Sequence, residues 1–570
     1  MTGKGSWIRF AAGVMILALA LAGVWLLARD RFAAEPETAG VPGLAAPSGV
    51  TRAQGAGADA VVAELTGPIE VITVMSEKND ETPPLTEMKM LPPEPKIKAK
   101  VKEQLNPPLP LSGHVDAEDL VVQLAETSAA GVAPAIPAPT LVFEGVNFNS
   151  SSCNCAPPDT NGDVGLSHYV QTVNVAFAIY NKAGTKLYGP AAIKTVWQGF
   201  GGACETRNDG DPILLYDSIA DRWLISQFTA TSPYYECVAI SKTGDPTGAW
   251  YRYAFQLSTT DFPDYPKFGV WPDGYYMSVN WFVNAASYGG PRPYVFDRAK
   301  MLAGQPASFQ TTSAALGSSV NPIMPSDIDG ATLPPSGQPN VFLGFGSTLN
   351  LYKFAVNWTT PSSTTWTRFA SVTPAGFTQL CAMTRNCIAQ QGTSQKLDGI
   401  GDRLMNRLVY RNMGTYQSLL ASFSVNAGTK AKSRAGVRWL EIRNPAGTPT
   451  IYQQGTYAPS DTLNRWMGSI AMDKMGNIAL GYSGSSSTAY PSIRYTARLV
   501  TDPLGQMPQG EGVMYQGTGS QSGVNRWGDY SNLSIDPVDN CTFWYTTEYN
   551  NSFNWYWGTK IGTFKLANCQ

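Results

Sequence analysis

The chain has 570 residues, a formal net charge of −2 and only 15% charged residues, whereas it holds 55 glycines and many aromatic residues (Trp 15, Tyr 26, Phe 22). This composition is typical of many short strands joined by tight turns, and it argues against long amphipathic helices. The basic residues are scattered apart from Lys96, Lys98, Lys100 and Lys102, so we expect no nucleic-acid partner.

The chain begins with an apolar segment. Residues 10–28 form a nearly unbroken apolar run of about 19 residues, the length that an α-helix needs to cross a bilayer. Lys4 and Arg9 precede it, as in a signal peptide or an uncleaved signal anchor. Bulky Trp25, Leu26 and Leu27 stand where a cleavage site would need small residues. We therefore expect a signal anchor or signal peptide over residues 1–34, with the anchor favoured and the membrane as a partner.

Residues 35–140 are rich in Pro, Ala, Gly and charged residues. Prolines at positions 83–84, 92–95 and 107–108 interrupt any regular element. We expect a mostly disordered linker, with local order limited to a strand within 61–75 and a helical turn within 120–126.

The rest of the chain, residues 141–570, repeats one pattern: a polar lead-in, a short apolar strand, a turn containing Asp, and a second apolar strand. The clearest copies predict hairpins at 213–228, 268–279, 470–482 and 533–546. Less regular copies bring the number of units to about seven, at a spacing typical of propeller blades. We therefore predict an all-β fold, a β-propeller of six or seven blades with seven favoured. A pair of β-sandwiches is the alternative.

All eight cysteines lie in this domain. Their even number favours disulfides and an oxidising compartment, which places the domain on the extracytoplasmic side, either secreted or membrane-anchored. Closeness in sequence favours three pairs and leaves Cys153 and Cys155 unassigned. The predicted pairs are Cys204 with Cys237, Cys381 with Cys387, and Cys541 with Cys569.

Three segments carry a family resemblance: 157–165 (PPDTNGDVG), 464–473 (NRWMGSIAMD), and 526–531 (RWGDYS) with its continuation to 545. Together they resemble a family of secreted bacterial sialidase-like β-propeller proteins of unestablished activity. The resemblance covers about residues 141–570. It implies the propeller fold, and it implies little chemistry.

The polar lead-ins come just before the first strand of each unit, so a propeller would bring them to one mouth of its channel. Two interpretations are open: a ligand site, or hydrogen-bonding braces between neighbouring units. If they form a site, paired carboxyls with nearby cations and aromatic rings suit glycoside hydrolysis, in the manner of a sialidase. The candidate catalytic residues are Asp211, Asp264, Asp402, Asp529 and Glu548. The candidate ligand-binding residues are Lys267, Arg403, Arg465, Arg526, Trp555 and Trp557.

Residues 159–163 place three oxygen-bearing side chains, Asp159, Asn161 and Asp163, at alternate positions. Calcium loops have this spacing, although the glycine comes early for an EF-hand and no bidentate Glu follows. An ordinary turn rich in Asp and Asn is the alternative. We expect no required cofactor, with calcium as the one candidate.

Two functions remain open from the sequence. The first is an extracytoplasmic, membrane-tethered propeller that binds extracellular glycan or cell-envelope polymer. Hydrolysis of the bound polymer is an open part of this first function. The second is a non-catalytic propeller that serves as a scaffold for surface proteins.

Overall fold

The computed structural model describes residues 69–95, 116–124, 136–382, 384–429 and 433–569. The chain divides into two compact units, 1–64 and 65–570, and every described residue belongs to the second. The predicted membrane segment at 10–28 lies outside the described residues. Among the residues described, no helix is long and apolar enough to cross a membrane.

The fold is all-β, with short helices only in connections. The strands begin with β1 Val71–Met75, β2 Lys78–Glu81, β3 Val122–Gln123, β4 Leu141–Glu144, β5 Asn161–Val164, β6 His168–Val173, β7 Ala176–Asn181, β8 Lys186–Ala192, β9 Ile213–Asp217, β10 Arg222–Phe228, β11 Tyr234–Ser241 and β12 Trp250–Ser258. They continue with β13 Phe262–Trp271, β14 Gly274–Val283, β15 Ser287–Phe296, β16 Ser308–Thr312, β17 Ile323–Asp329, β18 Asn340–Gly344, β19 Leu349–Ala355, β20 Thr365–Val372, β21 Thr378–Gln379, β22 Asn386–Ile388 and β23 Leu397–Asp398. The last are β24 Leu408–Asn412, β25 Gln417–Asn426, β26 Ala435–Arg443, β27 Thr450–Tyr457, β28 Asn464–Met472, β29 Ile478–Ser486, β30 Ala489–Arg498, β31 Glu511–Tyr515, β32 Asn532–Ile535, β33 Thr542–Asn550 and β34 Trp557–Lys565. Helical turns lie at Leu85–Glu87, Phe148–Ser151, Ile193–Trp197, Gly202–Thr206, Arg298–Leu302 and Pro361–Ser363.

The strands form successive antiparallel meanders. Strands β5 to β8, β28 to β31 and β32 to β34 pair in chain order, as do β9 to β12 and β13 to β16. Strands β17 to β20 and β24 to β27 form two further meanders, which join where β17 and β24 pair in parallel. We call β5, β9, β13, β17, β24, β28 and β32 the leading strands, because each opens its meander.

The leading strands contact one another in chain order, and β32 contacts β5. The contacts therefore close on themselves, as expected of meanders arranged around a common axis. This arrangement is consistent with the predicted propeller-like fold. It also gives the domain two faces: the amino-end face, where the leading strands begin, and the carboxyl-end face, where they end.

Strands from the first 144 residues extend four of the meanders. Strand β1 pairs with β16, β2 with β12 and β4 with β34, all antiparallel, whereas β3 pairs in parallel with β27. The predicted linker over 35–140 is thus ordered where it adds strands at 71–81 and 122–123, since an exposed sheet edge offers unpaired backbone groups to an extended chain. By closing the last sheet, β4 ties the start of the domain to its end.

The four clearest predicted hairpins are present as β9–β10, β13–β14, β28–β29 and β32–β33. Their turns use Asp as predicted. The Asp473 carboxylate accepts the amides of Met475 (2.8 Å) and Asn477 (3.0 Å), and Asp536 accepts the amide of Val538 (2.9 Å). These aspartates therefore close turns locally.

Other lead-in side chains brace neighbouring leading strands. Asp163 of β5 accepts the amide of Tyr216 in β9 (2.8 Å), and Asp327 of β17 accepts the amide of Val270 in β13 (2.8 Å). Each of these amides is buried at the edge of its sheet, where no backbone acceptor is available. The aspartate side chain of the neighbouring leading strand supplies the acceptor. For these two residues the brace interpretation is confirmed.

All eight cysteines are paired. The three predicted disulfides, Cys204–Cys237, Cys381–Cys387 and Cys541–Cys569, are confirmed, and the remaining two residues form Cys153–Cys155. Four disulfides indicate an extracytoplasmic compartment.

Candidate functional site

Residues from three distant parts of the chain meet at the amino-end face. The Tyr265 hydroxyl, at the start of β13, donates to the main-chain oxygen of Asp529, just before β32 (2.8 Å). The Arg403 guanidinium, just before β24, lies 4.7 Å from the centre of the Tyr265 ring. The predicted convergence of lead-ins is therefore real for β13, β24 and β32. We call Tyr265, Lys267, Asp402, Arg403, Arg526, Asp529, Tyr530 and Glu548 the mouth cluster.

Lys267 lies at the centre of this cluster. Its Nζ atom is 3.5 Å from the ring centre of Tyr265 and 3.8 Å from that of Tyr530, and it donates to the main-chain oxygen of Pro266 (2.9 Å). Burial lowers the pKa of Lys267 to about 7, although the charges of Asp211, Asp159 and Asp529 oppose this change. Two aromatic faces thus hold an amine that can gain or lose a proton near neutral pH.

Two arginine–aspartate pairs flank the lysine. Arg403 donates two hydrogen bonds to Asp402 (2.8 and 3.0 Å), and Arg526 donates to both carboxylate oxygens of Asp529 (2.5 Å each). Arg526 also lies 3.6 Å from Asp398. Arg403 binds Asp402 through two different nitrogens, Nε and Nη2, whereas a single nitrogen of Arg526, Nη2, contacts both oxygens of Asp529. Both pairs hold the carboxylate in one orientation.

Glu548, near the end of β33, is fully buried and accepts the amide of Gly528 through Oε2 (2.7 Å). Its Oε1 atom has no hydrogen-bond partner among the described residues. Burial, with the nearby charges of Asp159 and Asp529, raises the pKa of Glu548 well above its usual range. The mouth cluster therefore combines a carboxyl whose pKa is raised by burial with a second carboxyl, Asp529, that is bound by an arginine; a difference in surroundings of this kind can separate a general acid from its partner.

The remaining predicted catalytic residues lie around the cluster. Asp211 precedes β9, is buried, and acts electrostatically on Lys267 and Tyr530. Asp264 lies one residue before Tyr265 in β13, opposite Asn280, where the strand register shifts.

Arg465 has a structural role. It donates to Asp461 (2.9 and 2.7 Å) and to Glu511 in the last strand of its own sheet (2.6 Å). Arg403 and Arg526 are likewise paired with carboxylates of the chain. A sialidase would need three arginines on the substrate carboxylate, and these three are paired instead with carboxylates of the chain.

The two tryptophans predicted to bind sugar differ from each other. Trp557 is buried, and its indole donates to the main-chain oxygen of Cys155 (2.8 Å), so its prediction as a sugar platform is wrong. Trp555 is half-buried and packs edge-on against Phe148. On the same connection between β33 and β34, Phe553 is 66% exposed and Tyr556 is 45% exposed. These two rings were missed because only the fold shows which aromatic side chains of this segment face solvent.

Hydrogen bonds join this aromatic connection to the mouth cluster. The Ser522 hydroxyl donates to the main-chain oxygen of Phe553 (2.7 Å), and the Gln521 side chain donates to that of Arg526 (2.5 Å). The exposed rings therefore lie on a connection that is hydrogen-bonded to the segment preceding Arg526.

The candidate calcium ligands hold other partners. Asn161 accepts the amide of Leu214 (2.9 Å), and Asp163 accepts the amides of Val164 and Tyr216 (2.8 Å each). Burial, opposed by the charge of Arg407, raises the pKa of Asp163 to about 7. Among the described residues, no three His, Cys, Asp or Glu side chains are grouped as metal ligands would be. Asp159, which is buried, completes the predicted set, and calcium binding there stays a prediction.

Sequence reasoning also missed an ion pair beneath the cluster. Asp398 lies within hydrogen-bonding distance of Arg385 (2.7 Å) and 3.6 Å from Arg526. Arg385 and Asp398 lie in a stretch of short strands that lacks the repeated hairpin pattern. Without that pattern, the sequence did not indicate which strands pair there or where these side chains lie.

No protein-family model matches the chain. No curated protein matches it either. The structure is similar to a Hadza microbial sialidase (12% identity, 72% of this chain and 75% of that chain, TM-score 0.34). It is also similar to the GH43 endo-arabinanase from Bacillus licheniformis (11% identity, 50% and 92%, TM-score 0.23) and to the WD40 domain of SCAP from fission yeast (7% identity, 72% and 82%, TM-score 0.29). These likenesses are weak, so we argue the function from the chain's own residues.

Proposed function

We propose that this chain is an extracytoplasmic β-propeller that binds a polymeric glycan at its amino-end face and hydrolyses it in the mouth cluster. The blade number that we propose is seven, one for each leading strand in the closed series of contacts. Sialic acid is not favoured as the substrate, because the arginines of the cluster are already paired with carboxylates.

One observation carries the proposal: Glu548, whose pKa burial raises, and Asp529, whose two oxygens both accept hydrogen bonds from Arg526, belong to the same cluster. Glycoside hydrolysis needs a carboxylic acid that protonates the leaving oxygen and a carboxylate that acts as base or nucleophile. Glu548 suits the first role because burial keeps it protonated. Asp529 suits the second because Arg526 binds both of its oxygens.

One further feature supports a sugar polymer as the ligand. The exposed rings of Phe553 and Tyr556 offer apolar faces on which sugar rings stack. Because the connection that carries these rings is hydrogen-bonded to the segment before Arg526, a chain of several sugar units would span both.

We also propose that the domain is tethered to a membrane through the apolar run at 10–28. Its length and its flanking charges support this. Separation of the full-length protein into membrane and soluble fractions tests it, and recovery in the soluble fraction without proteolytic trimming would contradict it.

The function is tested with Glu548→Gln in the full chain. The protein is first screened on a glycan array and on polysaccharides, by release of reducing ends. Against the substrate found, we expect Glu548→Gln to lower turnover by at least about 10²-fold, because a positioned acid contributes about that much. Glycan affinity and melting temperature should change little, since Gln replaces a neutral carboxyl of the same shape.

The matched control is Glu441→Gln. Glu441 is as deeply buried as Glu548 but lies in β26, where it accepts hydrogen bonds from Ser418, Arg443 and Gln453. This variant should keep its turnover. If glycan binds and full turnover survives Glu548→Gln, the catalytic assignment is wrong. If no glycan binds, the scaffold function is favoured.

A further inference from the structure

A cavity lies on the carboxyl-end face, at the opposite ends of the leading strands from the mouth cluster. It has a volume of about 320 Å³. Its walls come from the ends of β5, β9, β17 and β32 and from the turns that follow them. Its lining includes Asp163, Leu166, Asp221, Asp329, Leu333 and Arg407.

In the polar part of this cavity, one carboxylate has an oxygen that accepts no hydrogen bond. Asp329 is 7% exposed, and its Oδ1 atom accepts a hydrogen bond from Arg407 (2.6 Å). Its Oδ2 atom is buried and has no hydrogen-bond partner among the described residues. A buried carboxylate oxygen without a donor is costly, so a ligand that supplies one would be stabilised there.

The charges around the cavity favour a cation. Asp221 and Asp329 line it as carboxylates, whereas Arg407 is the one basic side chain in its lining. Arg407 is already shared with Asp327, to which it donates at 2.6 Å. The lining therefore carries more negative than positive charge.

Arg411 does not reverse this balance. It lies behind Gly330 and donates to the main-chain oxygen of Met472 (2.9 Å) and to the side chain of Asn540 (3.4 Å). These partners are neutral, so Arg411 keeps its positive charge, on which the charges of Asp329 and Asp473 act. With Asp221 and Asp327, the carboxylates around the cavity still outnumber Arg407 and Arg411.

The rim of the cavity is apolar. Leu166 is 48% exposed and Leu333 is 43% exposed, and further aliphatic side chains lie deeper. Small-molecule sites typically combine such walls with a few polar groups, in volumes from about 300 Å³ upward. Among the described residues no set of metal-ligand side chains is grouped here. An organic cation therefore fits better than a metal ion.

We propose that this cavity binds a small organic ammonium whose body is about the size of one six-membered ring. The ammonium donates to Oδ2 of Asp329, and the ring lies against the aliphatic rim. The proposal is independent of the mouth cluster, because the two sites lie at opposite ends of the leading strands.

The test is calorimetric titration of the full chain with cyclohexylamine, glucosamine and glucose at pH 7. Both amines carry the ammonium, and they distinguish an apolar ring from a hydroxylated one, whereas glucose lacks the charge. We expect at least one amine to bind at least about tenfold more tightly than glucose. Equal binding of all three, or no amine binding up to about 10 mM, would overturn the proposal.

Two variants locate the binding site. Asp329→Asn keeps the shape of the side chain and should weaken amine binding by at least about tenfold. Since it also weakens the bond from Arg407, a second variant avoids the buried network. Leu333→Arg adds a positive charge at the exposed rim and should weaken binding similarly, whereas Leu333→Gln, its neutral control, should bind nearly as the wild type does. Unchanged affinity in both Asp329→Asn and Leu333→Arg would show that the amine binds elsewhere.

Discussion

Replacing Glu236 by Gln should make the protein more stable than the wild type at high pH but not at low pH. Glu236 lies in β11 and is fully buried beside Ser226. Burial, with a smaller contribution from the charge of Asp211 and opposed by a hydrogen bond from Ser226, raises its pKa from the ordinary 4.5 to about 8. Between these two values the folded state holds a proton that the unfolded state has released. Stability therefore falls as the pH rises through that window.

The size of the effect follows from the two pKa values. One pH unit of difference corresponds to about 1.4 kcal/mol, so ionising Glu236 costs about 5 kcal/mol above pH 8 and almost nothing below pH 4.5. Gln has nearly the same shape and stays neutral at every pH. The free energy of unfolding of the variant minus that of the wild type should therefore rise by several kcal/mol between pH 5 and pH 8.5.

The assay is urea denaturation followed by tryptophan fluorescence at both pH values, with Glu441→Gln as the control. Glu441 accepts three hydrogen bonds from side chains, which one amide oxygen cannot replace, so this control should lose stability at both pH values. A difference between Glu236→Gln and the wild type that stays constant within about 1 kcal/mol from pH 5 to pH 8.5 would refute the argument, because the carboxyl would then titrate alike in both states.

Three further predictions concern the rest of the domain. Replacing Cys541 and Cys569 by Ser opens a loop with a sequence separation of 28 residues, which should lower the free energy of unfolding by about 3.5 kcal/mol in urea; a reduced wild type as stable as the oxidised one would contradict this. Arg407→Met leaves its two aspartate partners buried without their cation, and we expect a loss of about 3–5 kcal/mol in the same assay; a loss below about 1 kcal/mol would show that these carboxyls are neutral. If calcium binds at the predicted ligands, chelation should lower the melting temperature and added calcium should restore it, whereas a melting temperature indifferent to both would exclude a structural calcium.

The sequence alone predicted the local units of this fold. A hairpin depends on neighbouring residues, so alternating apolar residues and an Asp-containing turn were enough to place strand pairs such as β28–β29 and β32–β33. The same holds for Cys204–Cys237, whose partners lie within one meander and the turn before it. Repetition of the hairpin then predicted the all-β architecture, because strands of this kind must bury one face against a neighbour.

Tertiary structure decided what depends on distant parts of the chain. The strands at 71–81 looked like linker because their ladder partners lie about 170 to 240 residues away. The role of each lead-in likewise depended on its neighbours: Asp163 and Arg465 became structural partners, whereas Lys267 and Asp529 met in the mouth cluster. The sequence also could not predict the raised pKa of Glu548. Glu548 and Glu441 are the same residue type, and only the packing around each carboxyl determines how many hydrogen bonds it receives.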